Sequence, residues 1–424
     1  MVCLPFARRR LASGLAIALV WVVAFPSYAG DEPVSLDQAI RLGVAQAPLL
    51  TARDADIEAA RQEAVRAGRL PDPSLTFGVS NYPVTGPGAF RLDADTMTMR
   101  TLGVAQDIPS HASREAEREL ADAQIVAATA ERTVTAQNVR EQIAEAWIGL
   151  WAARQKRDLL TALREQSKLA VKLTQARLRG GEGSAADALA ARVDAASLDN
   201  RLAAVDAELA AAQAGLQRWL GEPVAVLGEA PDFDRLPVAS TQLEQAIDRQ
   251  PPMQAWQARE EVAQAALTQA RAAKRPDWSV SASYGRRAPG LSDMVMLQVG
   301  VSLPLFTRNR QDRGVSAKQA QRDAVQAAHE DARRAQREAV ARTVANWRGW
   351  GEQVARYRDT LLPLGRDRAT TALAGYRGGG SLQPWLDARR DEIELRLAYA
   401  DALANHARLW AALAYLLPDA ETTP

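Results

Sequence analysis

Two kinds of hydrophobic spacing alternate along the chain. Most of residues 30–418 is rich in Ala, Arg, Glu, Gln, Leu and Asp, with apolar positions three or four residues apart. The clearest run steps by alternating fours and threes through Leu198, Leu202, Val205, Leu209, Ala212, Leu216 and Trp219. A heptad seam of this kind predicts long helices that pack against other helices.

One of these helical stretches is unusually long. Residues 113–179 contain no proline, and residues that favour helices dominate them. As a single helix this stretch would span roughly 100 Å at 1.5 Å per residue. That length does not fit inside an ordinary globular domain, so we expect a long coiled-coil assembly.

Four short stretches alternate with a period of two instead. In the last of them Val295, Leu297 and Val299 alternate with Met296 and Gln298. Strands of about 8–10 residues with one apolar and one polar face are typical of a transmembrane barrel, with lipid outside and water inside. A half-buried soluble sheet has the same alternation, so the pattern alone leaves both open. The predicted strands are about 74–82, 98–107, 278–286 and 294–303.

The chain contains this arrangement twice, about 200 residues apart. Five landmarks return in the same order, among them Trp147-x-Gly149 at Trp347-x-Gly349. The glycine-rich runs 179–184 and 377–381 are another such pair, and they predict the tips of two helical hairpins. The predicted organisation is a first repeat at 30–222, a linker at 223–240, a second repeat at 241–418 and a tail at 419–424.

The N-terminal segment predicts export. Residues 1–29 combine three arginines, an apolar run of about 15 residues and a small-residue cleavage site, as a signal peptide does. A retained membrane anchor is the alternative, but a spanning helix needs about 20 apolar residues. The only cysteine, Cys3, lies in this segment. Cleavage of this segment removes three arginines and no acidic residue, so the formal charge of the chain changes from +1 to −2. This near-neutral charge argues against binding to nucleic acid.

Four strands cannot close a barrel, and open strand edges are not tolerated in lipid. If the strands cross a membrane, the chain must therefore form oligomers. Three copies would supply twelve strands and would also bring together the long helices of three chains. We expect a mainly α protein with a small β part.

The duplicated strand-and-helix layout resembles the TolC-like outer-membrane efflux factors along essentially the whole mature chain. That resemblance implies a homotrimer, with a 12-stranded transmembrane β-barrel in the outer-membrane lipid and a coiled-coil α-barrel tunnel in the periplasm. It also implies a passive exit duct that works with a periplasmic adaptor (membrane fusion protein) and an inner-membrane pump. The runs 70–75, 81–90 and 97–109 are similar to the heavy-metal branch, the CzcC- and CusC-like channels.

Two other functions are consistent with parts of the pattern. The same duct could serve type I protein secretion, and a soluble periplasmic coiled-coil adaptor would also contain long helices and a small β domain. An enzyme is not predicted, because the three histidines are scattered and no nucleophile, phosphate-binding or metal-ligand motif is present. No cofactor is expected.

The hairpin tips are the first candidate site. The resemblance implies that they form the periplasmic end of the tunnel, where the adaptor docks; a plain helix–helix turn is the alternative. Just beyond the tips lie the candidate gate residues Asp187 and Asp387, because the run 385–388 resembles the family segment whose aspartate lines the closed entrance, although Pro384 stands where that family has a second aspartate. A ring of three carboxylates in a narrow pore would repel anions and attract cations. A solvated surface acid is the alternative for each. The candidate docking residues are Gly180, Gly181, Gly183, Ser184, Gly378, Gly379, Gly380 and Ser381.

Four methionines form the second candidate site. Met97 and Met99 are matched in the second repeat by Met294 and Met296. Strand parity predicts that all four face the lumen with the small and polar residues. Thioethers are soft ligands that suit copper(I), although methionine is also an adaptable packing residue near a barrel rim.

Overall fold

The computed structural model describes residues 33–417 as a mainly helical protein with one four-stranded sheet. The predicted signal peptide, Cys3 and the predicted tail lie outside the described residues. The first half contains α1 (Leu36–Ala45), α2 (Pro48–Arg66), β1 (Ser74–Ser80), β2 (Met99–Ile108), α3 (His111–Arg179) and α4 (Ala185–Leu220). The second half contains α5 (Ser240–Gln245), α6 (Pro251–Ala272), β3 (Asp277–Arg286), β4 (Met294–Ser302), α7 (Gln311–Arg356), a π-helical turn (Tyr357–Leu361), α8 (Leu362–Arg377) and α9 (Gln383–Ala414).

Helix α3 is continuous over 69 residues, which corresponds to about 100 Å. Its first turn is capped by Ser110, whose hydroxyl accepts a hydrogen bond from the Ser113 N–H at 3.2 Å. The equivalent path in the second half is divided into α7 and α8 by the π-helical turn. Pro363 follows in the first turn of α8 and has no N–H to donate, so the ladder of helical hydrogen bonds is interrupted there. The two halves therefore differ in their long helices.

The main core lies midway along α3, where helices of both halves meet. Ile143, Trp147 and Leu150 of α3 are fully buried there. Leu216 of α4 and Trp410 of α9 pack into the same cluster. Leu198 and Val205 from the heptad seam are buried in a second cluster farther along the α3–α4 hairpin. The seam thus holds the hairpin together, as the spacing predicts.

Residues 223–240, predicted as a linker, are attached to the helices. Residue Val34 forms a parallel β-bridge with Leu227. The Trp147 indole donates to the Val34 carbonyl at 3.0 Å, and the indole of Trp347, its counterpart in the second repeat, donates to the carbonyl of Phe233 at 3.1 Å. Equivalent tryptophans of the two repeats therefore each hold a backbone carbonyl of the segment that precedes the first helix of a repeat.

The strands form one antiparallel sheet in the order β1-β2-β3-β4. Strand β2 of the first half pairs directly with β3 of the second, with Val104 opposite Ala282. The sheet therefore joins the two repeats instead of forming two separate hairpins. Among residues 33–417 no strand pairs with the outer edge of β1 or of β4, so both edges are open.

Candidate functional site

One face of the sheet is apolar and exposed. The register places Phe77 opposite Leu102, Leu102 opposite Tyr284, and Tyr284 opposite Val295, so large side chains form a continuous row across all four strands. Phe77 is 77% exposed and Leu297 is 79% exposed. A soluble protein seldom leaves so large a contiguous apolar patch in water, so this face needs an apolar environment.

The opposite face contains small and polar side chains. The register places Thr76 opposite Gly103, Gly103 opposite Ser283, and Ser283 opposite Met296. The Thr76 hydroxyl donates to the Gly103 carbonyl at 3.3 Å, so it is satisfied within the sheet. The apolar and polar faces of the sheet are therefore those that the alternating positions in the sequence predict.

Three of the four candidate methionines lie on the polar face. Met99, Met294 and Met296 share the parity of the serines and glycines, and Met99 is buried while the other two are partly exposed. Met97 corrects the prediction, because it precedes the first residue of β2 and lies 58% exposed in the connecting loop. Its backbone N–H donates to the Asp95 carboxylate at 2.7 Å, so the loop conformation and not strand parity decides its direction. Among the described residues no cluster of three or more His, Cys, Asp or Glu side chains could hold a metal ion.

The two predicted tips are tight turns between helices, and each has a glycine at an equivalent position. Gly181 has φ 76° and Gly379 has φ 95°, a region that side chains with a Cβ resist. A Cβ on either glycine would meet nothing within 4 Å. Both glycines are therefore required by the backbone conformation and not by packing.

The turns differ in how the next helix begins. Ser184 caps α4, and its hydroxyl accepts a hydrogen bond from the Asp187 N–H at 3.0 Å. In the second turn the corresponding Ser381 is not the cap, because α9 begins at Gln383 after Leu382. Gly180 and Gly378 end the preceding helices, and the remaining tip residues Gly183 and Gly380 lie in the turns themselves.

The two candidate acids have different surroundings. Asp187 is partly exposed in the first turn of α4, where a carboxylate favours the positive end of the helix dipole. Asp387, with a side chain 45% exposed, accepts a hydrogen bond from the Gln383 amide at 2.9 Å. The Arg390 guanidinium lies 3.8 Å from the same carboxylate. The negative charge of Asp387 is thus partly compensated within the chain.

An aromatic cluster above the tips was not singled out from the sequence. The rings of Tyr376 and Trp385 stack at 6.1 Å between centroids and 3° between planes. The Arg177 guanidinium carbon lies 4.5 Å from the centre of the Tyr376 ring. Since Arg177 belongs to α3 and Tyr376 to α8, this cation–π contact joins the two hairpins. The sequence signal that could have indicated this cluster is the aromatic residue on each side of the second glycine-rich run, 377–381.

Ion pairs join the hairpins above this cluster. Arg390 of α9 donates to Asp194 of α4 at 2.9 Å, and Arg201 of α4 donates to Glu394 of α9 at 2.5 Å. The hydrogen bond to Asp194 raises the pKa of the Arg390 guanidinium above its ordinary value. These partners lie about 190 residues apart in sequence, so the sequence pattern did not reveal them.

Comparison with known proteins identifies the family. The family described as outer membrane efflux protein matches residues 39–222 and 242–417. The chain belongs to the outer membrane efflux protein family. Its function is that of an outer-membrane efflux channel, which decides against the soluble adaptor considered above.

Individual relatives agree with this assignment. The chain is 24% identical over 392 residues to the cobalt-zinc-cadmium resistance protein CzcC of Cupriavidus metallidurans, covering 91% of this chain and 90% of the relative. It is similar in structure to the outer membrane protein VceC of Vibrio cholerae, with a TM-score of 0.73, 18% identity, and coverage of 89% of this chain and 94% of that one. It is also similar to the transmembrane channel CusC, with a TM-score of 0.70, 20% identity, and coverage of 89% and 91%.

No helix between residues 33 and 417 is long and apolar enough to cross a bilayer.

Proposed function

We propose that three copies of this chain form one exit duct that crosses the outer membrane and extends into the periplasm. The main observation that supports this proposal is the four-stranded sheet. The sheet has an exposed apolar face and two open edges, and it leads directly into a helix of 69 residues. Each copy would supply four strands to a 12-stranded barrel, with the apolar faces towards lipid. The helices of the three copies would form the tunnel.

The open edges of β1 and β4 are the main physical support for the trimer. In hydrocarbon an unpaired backbone N–H or C=O costs several kcal/mol, so a sheet in lipid must close. Pairing β4 of one copy with β1 of the next satisfies both edges. The small side chains of the opposite face, such as Ser281, Ser283 and Gly300, then line a wide aqueous lumen.

The hairpin tips are the proposed contact with a periplasmic adaptor, which in turn connects the duct to an inner-membrane pump. Gly181 and Gly379 hold two similar turns at the end of the helices that lies farthest from the sheet. Three copies would therefore present six such turns. Asp387, near the second turn, is the proposed gate carboxylate, with Asp187 as a weaker contributor.

The proposed cargo is heavy-metal cations. The support is the likeness to CzcC, whose name describes cobalt, zinc and cadmium resistance. Metal passes through the duct as a substrate, and Met99, Met294 and Met296 on the lumen face would offer it at most weak transient ligands. The direction of transport comes from the pump, since the duct itself has no energy source.

Two experiments test this function. Protein extracted from outer membranes with detergent should have the mass of a trimer and should form channels in planar bilayers. A well-folded monomer in detergent-free buffer would contradict the barrel. In a host with its pump and adaptor intact, deletion of the gene should lower tolerance to cobalt, zinc or cadmium, and the intact gene should restore it. Unchanged metal tolerance, together with loss of secretion of a protein substrate, would favour the type I alternative.

A further inference from the structure

A cavity lies between the two helical hairpins, above their tips. Its volume is about 380 Å³, and its walls come from α3, α4, α8 and α9. Pockets that hold small organic molecules are typically about 300–1,000 Å³, so the cavity is large enough for one. Its lining includes no residue of the sheet or of the glycine turns and neither of the two candidate gate acids.

The charged side chains that line the cavity are mostly cationic. Five are arginines and two are acids, which gives the lining a formal charge of +3. They are Arg201, Arg366, Arg389, Arg390, Arg396, Asp194 and Glu392. Outside the lining, Glu394 pairs with Arg201, while Asp387 lies 3.8 Å from Arg390 and Asp391 pairs with Arg368. The neighbouring acids therefore compensate some of the arginines but not all of them.

Glu392 accounts for two of the arginines. Its side chain is 3% exposed and accepts hydrogen bonds from Arg389 at 2.8 Å and from Arg396 at 2.5 Å. The protein thus already places a carboxylate between these two arginines. The Glu392 carboxylate shows that these arginines bind an anionic oxygen group.

Two arginines retain unused capacity. Nη2 of Arg389 is buried and has no hydrogen-bond partner among the described residues. A buried donor without a partner costs free energy, and the cost is larger for a charged group. Arg366 also lines the cavity, is exposed to solvent, and forms no ion pair with a carboxylate of residues 33–417. An anion in the cavity would pair directly with the exposed Arg366, whereas Nη2 of Arg389 is sealed from solvent and would have to turn towards the ligand.

The rest of the lining is apolar and limits the class of anion. Leu163 and Leu198 come from the first hairpin, and Leu373 and Ile393 come from the second. A small hydrated ion would leave these side chains without contacts. An acid with a short hydrocarbon part would place its charge at the arginines and its chain against the leucines.

We propose that this cavity binds an organic anion with one phosphate or carboxylate group and a short apolar chain, held by Arg366 and Arg389. The site goes beyond the efflux function and does not depend on it. Because its walls belong to both hairpins, the bound anion would join them and strengthen the ties that Arg390 and Arg201 already form.

Hexyl phosphate is a suitable probe, and binding to the full-length protein in a neutral detergent can be measured by isothermal titration calorimetry. Saturable binding is expected for hexyl phosphate, with much weaker binding of inorganic phosphate and of hexanol. Arg366→Gln should weaken the affinity about tenfold or more, the usual size of a lost charge-assisted hydrogen bond. The matched control is Arg368→Gln, which should change nothing because Arg368 lies outside the cavity and pairs with Asp391.

Glu392→Gln is a second test, because it should increase the affinity, and a misfolded variant would not bind more tightly. Removing the internal carboxylate should free Arg389 and Arg396 for the ligand, so hexyl phosphate should bind more tightly than to the wild type. The proposal is overturned if the wild type shows no saturable binding, or if hexyl phosphate binds Arg366→Gln and Arg368→Gln with equal affinity. Equal binding of inorganic phosphate would show a simple anion site and would contradict the role of the apolar wall.

Discussion

Placing a single charge on each face of the sheet is the sharpest test of the barrel. Val299 lies on the apolar face of β4, is 63% exposed and pairs with Val280. The preceding residue, Gln298, lies on the opposite face and pairs with Ser281. Both positions are near the middle of the nine-residue strand, so they are equally deep in a membrane. The substitutions Val299→Arg and Gln298→Arg therefore differ only in the face that carries the charge.

The expected difference is large. An arginine at the midplane on the lipid side of a barrel costs about 2–4 kcal/mol, whereas an arginine in a water-filled lumen costs little. A trimer contains the substitution three times at well-separated places, so the costs add to about 6–12 kcal/mol. That is comparable with the whole stability of many proteins. Val299→Arg should therefore abolish assembly, and Gln298→Arg should leave most of it.

The assay is the amount of trimer in purified outer membranes, measured on gels run without heating and compared with total protein. Val299→Leu is the control for the substitution itself, since leucine keeps the face apolar. Equal trimer levels for the two arginine variants would refute the assignment of the faces. A greater loss for Gln298→Arg would mean that the lipid and the lumen have been exchanged.

Three further predictions concern the helical part. Substituting valine for both Gly181 and Gly379 should add about 1–2 kcal/mol of local backbone strain at each turn. The trimer should still form, but the cells should lose metal tolerance. Normal metal tolerance would contradict the docking role of the turns. Asp387→Ala should raise single-channel conductance in planar bilayers and reduce block by multivalent cations, and unchanged values for both would leave Asp387 as a surface acid. Trp147→Phe removes the donor to the Val34 carbonyl and should lower stability by about 1–2 kcal/mol, seen as a lower Tm in calorimetry; an unchanged Tm would show that water replaces the indole.

The regular elements could be predicted closely because their signals are local. The predicted and observed ends of the strands differ by at most two residues, since proline marks the helix-to-strand boundaries at Pro71, Pro109, Pro276 and Pro304. Helix α3 was expected from residue 113 and begins at His111. The difference arises because the capping residue is Ser110, and Ser113 was an equally suitable cap in the sequence.

The omissions share one physical origin, which is that they depend on contacts between distant parts of the chain, whereas the error at Met97 has a local cause in its hydrogen bond to Asp95. Residues 223–240 contain no periodic pattern, yet the indole of Trp347 holds the Phe233 carbonyl across 114 residues. The stack of Tyr376 on Trp385 and the contact of Arg177 with the Tyr376 ring likewise require the hairpins to lie side by side. Spacing rules describe neighbours along one element and cannot supply such partners.

The two repeats are alike in the sheet and differ in the helical hairpins. In the sheet, β2 and β3 exchange hydrogen bonds between the repeats, and in lipid every such backbone group must find a partner. A change in one strand would therefore leave unpaired groups in its neighbour, so the strand pairs of both repeats keep similar lengths. The hairpins experience no such constraint, because water satisfies any backbone group that a turn leaves free. There the first repeat keeps one continuous helix, α3, while the second contains a π-helical turn and an aromatic stack. The differences between the halves thus lie in the part that would face the periplasm, where one hairpin can contact a partner differently from the other.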